Sequence, residues 1–570
     1  MTLYDDDEQI EISDTSAGTQ SSDKGDGKTK LTIKRKDEAP LKETDFEVLL
    51  ELTGTADLKD RTGLDLVAVL DISDSMKFEE GKKLKRMKTA MQFVIKKLTP
   101  NDRLSVVTFA KTAARKCALE KMDVAAQAKI GELVENLTAS GLTNIVDGLL
   151  VGKQILDGRK LTMGRASAVL FMCDGEDTVY KENVRDVLQQ QIPVINFPVY
   201  TFGFGRKQDA VLLKEIADKS PGGTYSDVQN EENLTKAFSQ CLAGLLTIVA
   251  PDLTLTITPE KNSKIISVTD VGFKKSTNAD GSLTIFFGDL FSKEIRKVIV
   301  SLSLSEIKLR PRRKTASSDI LQVNYTYTYS KGIIFRADAQ LVNITRSATP
   351  KVTQENEDIL IEKDRLATLK AIKAAIAEAD RDNLAGAVSI LDAAQNSLHD
   401  AVYDRNEMIE IMKYELKKIL AFMITADSYK KRGRPFALSC VIAHDRQRYA
   451  TKGDIDLEIM RLFATPRMNQ GLVQATNFDK DSSISPPTAD EDTKEELKNN
   501  PYGPVAERLG NHNQNAKNSL LQNDNKFENV ETLEDIENIA RNVRNAIQSL
   551  EKMLDSIKDL LAALKSSQKT

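Results

Sequence analysis

Residues 64–76 read LDLVAVLDISDSM, an apolar run that ends in an acid and two hydroxyls. The nearly continuous apolar part, Leu64–Leu70, indicates a strand that is buried on both faces of a sheet. Asp71 leaves this strand, and Ser73 and Ser75 follow it on the turn. Ligands of doubly wound α/β sheets bind beyond the carboxyl ends of the strands. We therefore expect these three side chains to present their oxygens at a binding edge.

The flanking sequence repeats the same kind of strand. Short apolar runs occur at 103–109, 167–172 and 194–204, and amphipathic helical stretches lie between them. Apolar strands that alternate with helices favour a parallel sheet covered on both faces. The fold class predicted for 63–248 is therefore a doubly wound, Rossmann-like α/β domain.

Two further loops are expected to complete the site. Thr143 opens a helical stretch in GLTN, and Asp174 follows the apolar run at 167–172. Hydroxyl and carboxylate oxygens suit hard cations, so the sequence predicts a site for Mg²⁺, with Mn²⁺ or Ca²⁺ as alternatives. The alternative is a degenerate site whose hydroxyls cap helices and bind no ion. The predicted ligands are Asp71, Ser73, Ser75, Thr143 and Asp174.

This pattern resembles the von Willebrand factor A family, whose metal-ion-dependent adhesion site has DxSxS, then Thr, then Asp-Gly. The resemblance implies that Ser73, Ser75 and Thr143 ligate the ion directly. It implies that Asp71 and Asp174 ligate it directly or through water. In that family a carboxylate of the partner often fills the sixth position.

The motif departs from the family at one position. Asp74 stands where the family usually has glycine, and the acids Glu176 and Asp177 follow Asp174. Extra carboxylates beside the site could strengthen cation binding or repel an acidic partner. Metal binding is therefore the firmer expectation, and capture of an acidic ligand is the weaker one.

The other segments are assigned from composition and period. Apolar and polar residues alternate in the strands after Pro251, which indicates an antiparallel β-sandwich. The α/β domain is predicted to be inserted in this sandwich, or to be followed by it. The assignments are an acidic disordered tail at 1–28, strands that join the sandwich at 29–62, the α/β domain at 63–248, the sandwich at 249–346, a helical region at 355–465, a linker at 466–529 and a coiled-coil-like helix at 530–566.

The last helix has apolar residues at a seven-residue step from Ile536 to Leu564. That period predicts a coiled-coil seam. The seam has a second column from Ile539 to Leu560, and a third apolar column, from Ala540 to Leu561, widens the stripe. Residues 536–564 are therefore expected either to form an oligomer or to dock on a helical groove.

The wider layout, over roughly 45–440, resembles plant RING-type ubiquitin ligases that carry a von Willebrand A domain, and this implies a plant source. Those ligases have a Cys/His zinc module before that domain. Here residues 1–63 contain neither Cys nor His, and the chain's four cysteines and three histidines lack zinc-ligand spacing. The resemblance is therefore to such ligases without the RING, and ligase activity of the chain itself is not expected.

Other functional classes find little support in the sequence. The net charge is −4, no apolar run reaches the ~18 residues of a membrane span, and His399, His444 and His512 lie far from the metal motif. Arg432 and Arg434 form a single AT-hook-like core, which we interpret as a basic turn, so nucleic acid is not an expected partner.

The sequence therefore predicts a non-catalytic protein-binding or scaffold protein that engages a partner, through an acidic residue of that partner, at a divalent-metal adhesion site. The alternative is a substrate-recognition subunit or regulator of a separate ubiquitin ligase. The acidic N-terminus indicates no signal peptide, so a cytoplasmic location is expected, with the nucleus as an alternative.

Overall fold

The central sheet contains the strand that is predicted at residues 64–70. The computed structural model describes residues 6, 28–56, 61–162, 164–269, 272–328, 333–351, 355–399, 406–453 and 461–499. It has one compact unit, Met1–Thr493, and a second, Lys494–Thr570, of which only 494–499 is described. The strands are β1 (Thr29–Arg35), β2 (Glu38–Pro40), β3 (Thr44–Gly54), β4 (Gly63–Asp71), β5 (Arg103–Phe109), β6 (Ala113–Arg115), β7 (Glu120–Lys121), β8 (Arg165–Cys173), β9 (Val199–Phe204), β10 (Tyr225–Val228), β11 (Ile248–Pro259), β12 (Ser263–Val268), β13 (Lys274–Thr277), β14 (Leu283–Phe291), β15 (Ile295–Leu304), β16 (Thr315–Thr328), β17 (Ile334–Arg336) and β18 (Gln340–Ser347).

The helices up to residue 245 flank this sheet, and those between residues 357 and 446 form a helical module with a core of its own. Short 3₁₀ turns at Asp74–Lys77, Lys181–Asn183 and Glu231–Asn233 precede three of them, and a π-helical turn lies at Tyr429–Gly433. The α-helices are α1 (Phe78–Lys97), α2 (Val124–Glu135), α3 (Ile145–Asp157), α4 (Val184–Gln191), α5 (Ala210–Lys219), α6 (Leu234–Leu245), α7 (Glu357–Ala379), α8 (Leu384–His399), α9 (Glu407–Phe422), α10 (Ala426–Ser428), α11 (Arg434–Arg446), α12 (Pro466–Lys480) and α13 (Ala489–Asn499).

The α/β sheet has the strand order β10-β9-β8-β4-β5-β6, and β7 pairs with β5. Its five long strands are parallel, while β6 and β7 pair antiparallel at the edge. Alternate residues of β4 enter two different cores: Leu66 and Ala68 pack with α1 and α6, and Val67 and Val69 pack with α3 and α5. Because both faces are covered, every residue of β4 is buried, as its apolar run predicts.

A β-sandwich adjoins this domain and encloses it in sequence. One sheet has the order β1-β3-β15-β12, and the other has β13-β14-β11-β16-β18-β2, with β17 on β16. The strand β3 pairs with β15 so that Val48 lies opposite Val300. Strands on either side of the α/β domain in sequence therefore share one sheet. The predicted fold class is confirmed, and of its two arrangements the structure has the insertion.

A polar segment just after α11 joins the α/β domain to the sandwich. The buried guanidinium of Arg448 donates to Glu294 Oε1 at 2.8 Å, to the Tyr200 hydroxyl at 3.1 Å and to the Gly222 carbonyl at 3.0 Å. It also lies over the Phe291 ring, 3.9 Å from the centroid. Glu294 and Phe291 belong to the sandwich side, whereas Tyr200 and Gly222 belong to the α/β domain. The Arg448 side chain thus links the two domains directly.

The linker predicted at 466–529 is wrong as far as residue 499, because α12 and α13 occupy this stretch. Phe478 of α12 packs edge-on against Phe93 of α1, with ring centroids 5.6 Å apart. Asp492 of α13 accepts hydrogen bonds from the buried Lys97 and from Gln474. The helices are therefore stabilised by a few apolar anchors and a buried ion pair, which a polar composition does not reveal.

Two terminal predictions lie outside the described residues. They are the tail at 1–28, apart from Asp6 and Lys28, and the coiled-coil-like helix at 530–566 with its seam at 536–564. Among the helices that the structure describes, none is both long and apolar enough to cross a membrane.

Candidate metal-binding site

Asp71, the last residue of β4, is fully buried and its carboxylate is held at both oxygens. Oδ1 accepts the backbone N–H of Ser73 at 2.8 Å. Oδ2 accepts the Cys173 thiol at 3.2 Å and the backbone N–H of Asp174 at 3.4 Å. Since Cys173 ends the neighbouring parallel strand β8, the two strand ends meet at one point. The predicted convergence at the carboxyl edge of the sheet is present.

The two serines and Asp174 form a continuous hydrogen-bonded row. Ser73 Oγ lies 2.8 Å from Ser75 Oγ, and the Ser75 hydroxyl donates to Asp174 Oδ1 at 2.5 Å. The 3₁₀ turn at Asp74–Lys77 directs the chain from this row into α1. Four of the five predicted ligands therefore lie in one cluster of oxygen atoms.

Thr143 reaches the same edge through the contacts of its loop. The backbone N–H of Asp74 donates to the Gly141 carbonyl at 2.9 Å, which joins the Thr143 loop to the DxSxS loop. The backbone of Thr143 is held in place because its N–H donates to Thr178 Oγ1 at 2.8 Å. Asn144 then caps α3 by accepting from the Asp147 N–H at 3.0 Å. The loop that carries the fifth predicted ligand is thus fixed next to the DxSxS loop.

The electrostatics of the cluster favour a cation. Burial, and next the negative charge of Asp174, raise the pKa of Asp71 to about 6. Burial also raises the pKa of the Cys173 thiol well above its usual value, so the thiol remains protonated and donates to Asp71. A cation that neutralises the two carboxylates would remove the repulsion that raises the pKa of Asp71.

The donor set fits a hard divalent ion. It has two carboxylates and three hydroxyls, and these are the ligands that Mg²⁺ and related ions prefer. Within the part of the chain that the structure describes, no group of three or more His, Cys, Asp or Glu side chains is arranged to hold a metal. This cluster differs from such groups because hydroxyls make up most of its donors.

The extra acids near the motif take two different positions. Asp74 is exposed and pairs with Lys77 at 2.7 Å, so its charge is partly neutralised in solvent. Asp177 is buried and accepts the backbone N–H groups of Ile145 at 2.8 Å and Tyr180 at 2.6 Å. Asp177 therefore orders the start of α3 and the turn after β8, whereas Glu176 is exposed.

Lys83 belongs to the site although the motif did not predict it. Its ammonium donates to Asp174 Oδ2 at 2.6 Å, and its side chain is 12% exposed. The only signal in the sequence is that it lies on the helix that begins at the DxSxS loop, a position that a solvated lysine would also occupy.

The histidine and the two arginines that were not assigned to the metal site have other partners. His444 is buried, and its Nε2 lies 2.8 Å from Glu415 Oε2. Arg434 pairs with Asp380 at 2.7 Å, and Arg432 stacks over Phe422, 4.8 Å from the ring centroid. The AT-hook-like core is thus part of a helical turn against the helical module.

Comparison with known proteins supports the predicted domain. Residues 65–240 match the family described as von Willebrand factor type A domain, and residues 406–477 match the one described as VWA / Hh protein intein-like. Two relatives from Arabidopsis thaliana are similar to the chain. "E3 ubiquitin-protein ligase WAV3" is 25% identical over 64% of this chain and 46% of its own length. "Probable E3 ubiquitin-protein ligase WAVH2" is 24% identical over 63% of this chain and 48% of its own length.

The chain thus spans about half the length of these curated relatives. Among solved structures, "von Willebrand factor type A from Catenulispora acidiphila" superposes with a TM-score of 0.58 at 16% identity, covering 76% of this chain and 99% of that chain. This likeness concerns the fold. The predicted von Willebrand A domain is present, and such domains are protein-interaction modules that commonly bind a divalent metal at this site.

Proposed function

We propose that this chain, which contains a von Willebrand factor type A domain at residues 65–240, binds a protein partner through one divalent cation. The ligands would be Asp71, Ser73, Ser75, Thr143 and Asp174, with Mg²⁺ as the first candidate and Mn²⁺ or Ca²⁺ as alternatives. A carboxylate of the partner would complete the coordination. The observation that carries the proposal is the row of hard oxygens between the two buried carboxylates.

The charge of the cluster supports an ion at this point. The Lys83 ammonium offsets one of the two buried carboxylate charges, and the remaining charge is costly unless a further cation compensates it. Both oxygens of each carboxylate accept hydrogen bonds, and the serine hydroxyls between them can turn their lone pairs to an ion. When bound, the ion would supply a Lewis-acidic point that attracts an anionic group.

The surroundings leave the site open to a partner. Gly141 and Leu142, next to Thr143, are exposed, and so are Lys77 and Phe78 at the start of α1. A protein surface could therefore contact this rim while its carboxylate reaches the ion. Interaction modules of this kind act by binding, and we propose that this chain has no catalytic activity of its own.

A second candidate is a substrate-recognition subunit or regulator of a separate ubiquitin ligase. It is supported by the similarity to two proteins that are named ubiquitin ligases and by the lack of zinc-ligand spacing among the cysteines and histidines of these 570 residues. Co-purification with a RING protein would favour it. The cytoplasmic or nuclear location and self-association through 536–564 remain proposals from the sequence.

The test compares partner capture by the full chain in Mg²⁺ and in chelator. We expect a defined set of partners that is lost in chelator and lost with Asp71→Ala, because that variant removes a ligand. The matched control is Asp74→Ala, which removes an exposed carboxylate of the same loop that pairs with Lys77. Recovery of the same partners by Asp71→Ala, or in chelator, would show that the site is not the binding device.

A further inference from the structure

We infer that Lys83 is a fixed counter-cation that makes the metal-loaded site carry a net positive charge and so select a carboxylate-bearing partner. The inference rests on the proposed function. It concerns an ammonium that lies beside the ion rather than in its place.

The ion pair between Lys83 and Asp174 is shielded from solvent. The Lys83 ammonium is 2.6 Å from Asp174 Oδ2, and the two side chains are 12% and 0% exposed. Charges in such surroundings are screened much less than charges on the surface, so the Lys83 ammonium acts on the other charges of the site. Lys83 therefore differs from the exposed lysines of the same rim.

The two oxygens of Asp174 have different partners. Oδ2 accepts from Lys83, and Oδ1 accepts from the Ser75 hydroxyl at 2.5 Å. Ser75 in turn lies next to Ser73 in the row of predicted ligands. A cation bound among the serines and Oδ1 would thus leave the contact between Lys83 and Oδ2 in place.

Two neighbouring residues, Phe204 and Gly205, accommodate the Lys83 ammonium beside Asp174. It lies 5.8 Å from the centroid of the Phe204 ring, a distance at which a cation is attracted to the ring face. Gly205 follows with a φ of +78°, and a Cβ at this position would lie 3.2 Å from Lys83 Nζ. A glycine therefore leaves room for the ammonium while adopting the left-handed conformation.

The charges then decide what the site attracts. With Asp71 and Asp174 ionised, Lys83 brings the charge from −2 to −1, and a divalent ion brings it to +1. A carboxylate from the partner neutralises that charge. Without Lys83 the metal-loaded site would be neutral, and a carboxylate would leave it at −1. Lys83 thus weakens binding of the metal alone and strengthens capture of a carboxylate.

The experiment measures Mg²⁺ affinity of the full chain by calorimetry, with and without acetate as the carboxylate probe. We expect Lys83→Met to bind Mg²⁺ about tenfold more tightly, as a unit charge several ångströms from a divalent ion implies even in high dielectric. Acetate should increase the Mg²⁺ affinity of the wild type and of Lys83→Arg, and it should not increase that of Lys83→Met.

The matched control is Lys82→Met, which removes the same charge from a neighbouring side chain that is 47% exposed and pairs with Glu231. It should leave both measurements unchanged. If Lys83→Met misfolds by circular dichroism, Lys83→Gln provides a neutral polar variant for the same comparison. Unchanged or weaker Mg²⁺ affinity in the neutral variant, or an intact acetate effect, would overturn the role of Lys83. If no chain binds Mg²⁺ with or without acetate, the metal site itself is refuted.

Discussion

Replacing Arg448 with methionine tests the contact between the α/β domain and the sandwich. The guanidinium makes two hydrogen bonds to Glu294, at 2.8 and 3.0 Å, and donates to the Tyr200 hydroxyl and to the carbonyls of Gly222 and Asp289. Methionine keeps part of the packing and removes every one of these donors.

The expected cost follows from what remains buried. Although burial raises it, the charges of Arg296 and then Arg448 hold the pKa of Glu294 below its usual value, so Glu294 is ionised. In the variant Glu294 keeps its ion pair with Arg296, at 2.9 Å, and the hydrogen bond from the backbone N–H of Phe291, at 3.0 Å. Removing one partner of a buried ion pair typically costs about 3–5 kcal/mol, and we expect a loss in this range for Arg448→Met.

The assay is urea unfolding of the full chain, and its readout is the free energy of the first transition, because several cores need not unfold together. The control is Arg312→Met, at an exposed position in a loop of the sandwich. The double variant with Glu294→Gln should show coupling of at least ~1 kcal/mol between the two side chains. A loss below ~1 kcal/mol for Arg448→Met, or one equal to the control, would refute the bridging role.

Three further predictions concern the site and the helices. Because the pKa of Asp71 is raised to about 6 in the metal-free site, a proton competes there with the ion, so Mg²⁺ affinity should fall as the pH drops below about 6 and Mg²⁺ binding should release protons. Calorimetry in buffers of different ionisation enthalpy measures the affinity and the protons released. A pH-independent affinity would contradict this prediction. Asp177→Ala should lower the free energy of unfolding by ~1–2 kcal/mol in thermal melts, because it leaves the backbone N–H of Ile145 at the start of α3 and that of Tyr180 in the turn after β8 without their acceptor, whereas Glu176→Ala should change little. Phe478→Ala should cost ~3–5 kcal/mol and expose α12 to limited proteolysis, since it removes the ring that packs on Phe93; resistance equal to wild type would argue against the docking of α12.

Much of the α/β fold could be predicted because its local and global signals agree. The strand at 64–70 is apolar on both faces and the structure covers both faces, so period and burial match. The acid and hydroxyls follow the strand end directly, and strand ends meet at one edge in a parallel sheet. The insertion was one of two predicted arrangements because residues 29–62 were expected to join the sandwich, and β3 pairs with β15 across the whole α/β domain.

The features that sequence reasoning missed depend on long-range charge pairs. Their neighbours in sequence indicate solvated side chains for Lys83, Arg448 and Asp492. Each instead forms a shielded ion pair with a partner far away in the chain. The polar composition of 466–499 likewise favoured a linker, because α12 is stabilised by packing on α6 and α1, and α13 by the ion pair of Asp492 with Lys97 of α1.

The central claim is that Asp71, Ser73, Ser75, Thr143 and Asp174 hold a single divalent cation. The most direct measurement counts Mn²⁺ bound to the full chain by electron paramagnetic resonance, with acetate present to complete the coordination. We predict one bound ion per chain in the wild type and none in a variant that combines Ser73→Ala and Ser75→Ala, with its secondary structure unchanged. Equal Mn²⁺ binding by that variant, or no bound Mn²⁺ in the wild type, would contradict the account.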